Sequence, residues 1–168
     1  MLKKIFKWFF IIICSLILLI FISLISFKLV FSQRKITAFE LNAPSIKNHI
    51  LIASQGSKFK NKLNEILLDE FKTKNVYIKV IDVSLLKNIN PSDWKSIIII
   101  NTIEARKMEK NVAKFIKENY SSNNIILIIT SGSGNFKLKD FDAISTASNM
   151  KNIENIKKQI INKINNLL

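Results

Sequence analysis

The chain is poor in the residues that build most recognisable chemistry. Among 168 residues there is one cysteine and one histidine, with only three glycines and two prolines. A single cysteine, Cys14, excludes a disulfide within the chain, and it says nothing about redox compartment. With His49 as the sole imidazole, a Cys/His metal cluster, a Ser-His-Asp triad and a Cys-His pair all lack visible partners. Scarce glycine and proline argue against a low-complexity or disordered chain. Acid is also short: 12 carboxylates face 26 basic residues, a net charge of +14. No acidic residue occurs in the first 35 positions, which hold Lys3, Lys4, Lys7, Lys28, Arg34 and Lys35. The rest carries 20 basic and 12 acidic residues, and no nucleic-acid motif or aromatic interleaving accompanies that excess. It reads as a solvated lysine surface that could also meet anionic lipid or a phosphorylated ligand.

What is present begins with a long apolar run. Trp8 to Phe27 holds 20 uncharged residues, broken only by Ser15, Ser23 and Ser26 in their polarity. At helical rise that length matches the hydrocarbon thickness of a bilayer. Trp8 and Phe9 fall at an interfacial belt, and Lys3, Lys4 and Lys7 form a basic n-region. A cleaved signal peptide would have a shorter apolar core and a small-x-small site, which is missing here. Ile13 before Cys14 also lacks the small residue of a lipoprotein cleavage site. The expectation is an uncleaved anchor over 1–31 in the cell membrane, meeting the bilayer through residues 8–27. A polar stalk spans 32–48, and the domain, 49–168, lies on the extracytoplasmic side.

After the stalk, short apolar runs alternate with helix-period segments. His49–Ser54, Val76–Val83, Ser96–Asn101 and Asn124–Thr130 read as strands, with Phe141–Ala147 as a short last one. The second alternates enough to be an edge strand. Phe59, Leu63, Ile66, Leu67 and Phe71 share one face of a helix over 58–74. Met108, Val112, Phe115 and Ile116 mark a second helix, and Ile153, Ile156, Ile160, Ile161, Ile164 and Leu167 a third. Strands apolar on both faces, alternating with helices, imply a doubly wound parallel sheet of four to five strands. Ligands of such sheets bind beyond the carboxyl ends of the strands. That directs attention to the loops after Ser54, Asn101 and Thr130.

The first of these, Ser54-Gln55-Gly56-Ser57-Lys58, is a small-residue turn running into a helix whose free amides could hold an anion. Here the chain resembles the flavodoxin family, in which a Ser/Thr/Gly-rich loop after the first strand grips the phosphate of FMN. Ser54, Gly56 and Ser57 match that pattern, while Lys58 stands where threonine is usual. The second loop follows Asn101 and is spaced like the family's third-strand loop, with Thr102 and Glu104 at positions usually held by proline and tyrosine. A carboxylate at Glu104 removes a stacking surface for the flavin ring. Ser131 and Gly132 lie in a Gly/Ser turn similar to the loop whose amides approach that ring. The resemblance covers most of 46–168, with the fourth helix almost absent. It implies a flavodoxin-like fold, FMN as cofactor and electron transfer with a membrane partner. The alternative is a flavin-free interaction or assembly module, and whether the chain is an enzyme stays open. His49, Asp140 and Asp142 read as structural or solvated, and Ser148 or Asn149 as a cap of the last helix.

Overall fold

The computed structural model describes residues 2–31, 33–119 and 121–167. They fall into two compact units, 1–32 and 33–168. The first contains α1, Leu2–Phe31. Its stretch Lys3–Ser26 has a mean hydropathy of 3.1 and is long and apolar enough to cross a membrane. The described side chains of this stretch are exposed.

The second unit is an α/β domain. Its strands are β1 (Phe39–Leu41), β2 (His49–Ser54), β3 (Tyr77–Asp82), β4 (Ser96–Thr102), β5 (Ile125–Thr130) and β6 (Ala143–Thr146). They form one sheet in the order β1-β3-β2-β4-β5-β6. From β3 to β6 every neighbouring pair is parallel, and β1 alone runs antiparallel, on β3. Counting only the parallel strands in chain order, the sheet reads 2-1-3-4-5, which is the flavodoxin-like arrangement with its switch point between β2 and β4. The sheet has six strands rather than four to five because part of the segment expected as a stalk, Phe39–Leu41, pairs with β3. For the same reason β3 is not an edge. Its alternating Lys79 instead meets Glu40 of β1 at 2.9 Å.

Helices α2 (Lys58–Phe71) and α4 (Ile153–Asn165) cover one face, and α3 (Lys110–Glu118) the other. The first layer is built from Ile50, Ile52, Val80, Ile98 and Ile128 against Phe59, Leu63, Leu67, Phe71, Ile156 and Ile160, all buried. The second sets Leu51, Ala53, Ile97, Ile99, Leu127 and Ile129 against Val112, Phe115 and Ile116. Each such apolar side chain removed from water contributes about 1.5–3 kcal/mol before entropy is charged against it. The central strands are isoleucine runs because both faces are buried and β-branched side chains suit the pleat. No helix forms between β5 and β6, where residues 131–142 cross over as an extended loop. Ser57 caps α2 by accepting the Lys60 N–H at 3.3 Å, and Glu109 caps α3 by accepting from Asn111 and Val112 at 2.7 and 3.0 Å. Asn149 caps a short 3-10 turn, Met150–Asn152, that leads into α4.

Candidate functional site

At the switch point, the loop after β2 and the end of β4 converge on a residue that the strand-loop reading passed over. Lys60, in the first turn of α2, is fully buried. Its ammonium donates to Gln55 Oε1 at 3.2 Å, to Thr102 Oγ1 and to Gln33 Oε1. Burial pushes its pKa down to about 7, against the pull of the Glu104 carboxylate, which favours the charged form. The helix geometry explains the position. Lys60, Asn64 and Leu67 recur at i, i+4 and i+7, so Lys60 shares the buried face with Leu63 rather than facing solvent. That spacing was the available signal, and residue type argued against reading it so.

Each expected site residue has a definite place. Ser54 is buried and its hydroxyl donates to the Gln55 carbonyl at 2.9 Å. Gln55 folds back across the switch point: its Oε1 accepts the Thr102 N–H at 2.8 Å as well as Lys60. Thr102 Oγ1 also shares a hydrogen bond with Thr130 Oγ1 at 2.8 Å. Asn101 is buried and donates to the Thr102 carbonyl at 3.0 Å, leaving its Oδ1 without a partner. Lys58 is exposed at the helix start. Glu104 is exposed in a tight hairpin, its N–H donating to the Lys107 carbonyl at 3.0 Å and its carbonyl accepting from Lys107 at 2.8 Å. Ser131 turns away, donating its N–H to Thr146 and accepting from Gly134 N–H, while Gly132 stands in open space. The first two loops are thus brought together and the third contributes only Thr130.

Gly56 has a role that its sequence context did not reveal. Its N–H donates to the Arg34 carbonyl at 2.6 Å and its own carbonyl accepts from Arg34 N–H at 2.8 Å. A Cβ at Gly56 would sit 2.7 Å from that Arg34 oxygen and 3.1 Å from Ile36 Cγ2. The segment Gln33–Ile36 therefore lies directly on the loop as a strap. Ile36 N–H reaches Asp82 Oδ2 at 3.2 Å, and the Ile36 side chain packs on the core below. Glycine is required there by the approach of another backbone.

With the strap in place, part of the loop is not free to hold a flavin phosphate. The Gln55 and Gly56 amides are bonded to Ile100 and Arg34 carbonyls, and the Lys60 amide to Ser57 Oγ. The Lys60 ammonium is held by three neutral oxygens. None of the residues 54–58, 101–107 or 131–134 is aromatic; the aromatics of the third loop, Phe136 and Phe141, come later in it and pack against the core. Among the described residues no group of three or more His, Cys, Asp or Glu could hold a metal ion.

No family model matches the chain, and no curated protein matches it. Among solved structures it is similar to rubredoxin oxygen:oxidoreductase from the anaerobe Desulfovibrio gigas, with 13% identity and a TM-score of 0.48. That match covers 74% of this chain and 36% of the other, so the chain spans about a third of that protein's length. The flavodoxin-like assignment rests on strand order and direction instead.

Proposed function

We propose that the chain is a flavodoxin-like module anchored in a membrane by α1 and working without flavin, as an interaction or assembly domain beside the bilayer. The observation that carries this reading is the strap: the loop that would grip a phosphate is bonded to the chain's own Arg34. Glu104, exposed where an aromatic would be needed, supports it from the second loop. The basic n-region of Lys3, Lys4 and Lys7 favours a domain outside the cytoplasm. Purified full-length protein in detergent should be colourless, and titrated FMN should keep its fluorescence. Retained yellow colour, or saturable quenching of FMN, would establish the electron-transfer reading in its place.

A further inference from the structure

Among the described residues Lys60 is the one buried lysine, with no exposed surface at all. Its three oxygen partners, on Gln33, Gln55 and Thr102, are neutral, and none of the seven ion pairs includes it. The charges around it do not make up the difference. Glu104, on the hairpin after β4, acts on it from an exposed position. Asp82, at the end of β3, is engaged by Ile36 N–H and by Ser84. Arg34 and Lys35 of the strap, Lys58 of α2, and Arg106 and Lys107 of the hairpin are exposed and share its sign. From β5 comes the neutral hydroxyl of Thr130, bonded to Thr102.

This ring of oxygens suits a neutral amine. Two amine N–H groups serve the Gln33 and Gln55 oxygens, and the lone pair accepts the Thr102 hydroxyl proton while Thr102 Oγ1 accepts from Thr130. An ammonium finds the same three oxygens as acceptors, but its charge is buried without a counter-charge beside it. To hydrate that charge, something covering it must move. Gln55 and Thr102 are tied into the central sheet, through Gln55 N–H on the Ile100 carbonyl at 3.3 Å and Thr102 N–H on Gln55 Oε1 at 2.8 Å. Lys60 itself belongs to a helix anchored by buried Phe59, Leu63 and Leu67. Gln33 instead belongs to the strap, which crosses the loop through the Arg34–Gly56 backbone pair and the Ile36 N–H on Asp82. Segments held by a few backbone bonds open locally at lower cost than core strands.

We propose that the strap Gln33–Ile36 is a proton-operated latch, closed over the neutral Lys60 amine and released when that amine takes up a proton. The latch lies wholly within the α/β unit and needs nothing from α1. Linkage sets its sign. Burial is the main cause holding the closed-state pKa at about 7, so a lifted strap lets Lys60 return toward 10.5 and bind more protons between those values. Opening is therefore favoured as pH falls through that window, by up to about tenfold per unit, and becomes independent of pH below about 6, where the lysine is charged in both states. Release bares the backbone of Gly56 and the polar ends of β2 and β4, so protonation decides whether this end of the sheet is covered.

The test is amide hydrogen exchange on full-length protein in detergent, read by mass spectrometry at pH 6, 7, 8 and 9 and corrected for the intrinsic pH dependence of exchange. Peptides carrying Arg34–Ile36 and Gly56 should lose protection by about 10- to 50-fold from pH 9 to pH 7, and by less than about twofold more at pH 6. Peptides of β4 and β5 should stay better protected than the strap at every pH. Lys60→Met should hold the strap closed, with protection flat across the range; the wild-type series decides the matter without it. Strap protection that is unchanged or rises from pH 9 to pH 7 overturns the latch. So does strap protection equal to that of β4 throughout, which means that the domain opens only as a whole. A fall confined to the first turn of α2 or to the 103–107 hairpin overturns it too, because another element then lets water reach Lys60.

Discussion

Lys60 should give the domain an unusual dependence of stability on pH. Its pKa is about 7 in the folded chain against 10.5 for an exposed lysine, with burial as the main cause. The folded state therefore binds fewer protons than the unfolded state at any pH between these values, and stability rises with pH across that window. The penalty is fully present below about pH 6 and is relieved by about 3 kcal/mol between pH 7 and 9.5. Against a typical total of 5–15 kcal/mol this is a large share. Tyr77 works the other way, because burial and then Glu40 push its hydroxyl up to about 12. Its folded pKa is raised, so the stability it contributes is lost as pH climbs past 10, and the measurement should stop below that. Lys60→Met isolates the effect. Gln55 Oε1 still accepts from Thr102 N–H and Thr102 Oγ1 still pairs with Thr130, so those two acceptors keep partners when the ammonium is removed. Urea denaturation of full-length protein in detergent at pH 6, 7, 8, 9 and 9.5 should show a rising midpoint for the wild type. The Met variant should be flat across that range and at least as stable at pH 7. Parallel pH curves for the two proteins would refute a buried, strongly depressed lysine.

Two further outcomes follow from backbone geometry. Gly56→Ala places a methyl 2.7 Å from the Arg34 oxygen and should lift the strap, seen as faster tryptic cleavage after Arg34 and Lys35 and a loss of about 1–3 kcal/mol. Replacing Ala105 with Asn and Arg106 with Gly should stabilise the hairpin by about 1 kcal/mol, since both φ angles are positive; an unchanged or lower midpoint would argue against that turn.

Much of the fold was legible because its signals are local. Ile97–Ile100, and Ile125–Ile129 with only Leu127 not β-branched, are runs too short for helices, and both are buried strands in the parallel sheet. The missing crossover helix was equally visible, since residues 131–142 lack a helical stripe. Illegible were features that depend on distant pairing. Phe39-Glu40-Leu41 is too short to announce a strand, and it becomes one only because β3 offers it an open edge. The small-residue loop was readable as a close-approach loop, but what approaches Gly56 is Arg34, and no spacing rule connects positions 22 residues apart. Lys60 was hidden by its own type, because a lysine on an amphipathic helix is ordinarily assigned to the wet face.

These distant pairings change where the domain begins. A fragment starting at His49, the first residue of the first parallel strand, would keep five strands and three helices. It would lose β1, so β3 becomes an exposed edge with unpaired amides. The Arg34–Gly56 pair disappears, along with the Ile36 N–H that Asp82 accepts and the Gln33 oxygen that helps hold the Lys60 ammonium. Ile36 and Leu41, both packed against the core, go with them. Two partly buried aliphatic side chains and a set of partly buried hydrogen bonds are together worth several kcal/mol, which is comparable to the whole stability of a small domain. A fragment starting at Gln33 should therefore fold with a cooperative transition, while one starting at His49 should aggregate or melt at least 10 °C lower by the usual scaling. Circular dichroism melts of the two decide it. Equal melting temperatures would mean that residues 33–48 are a tether after all and that the strap contributes nothing to the sheet it crosses.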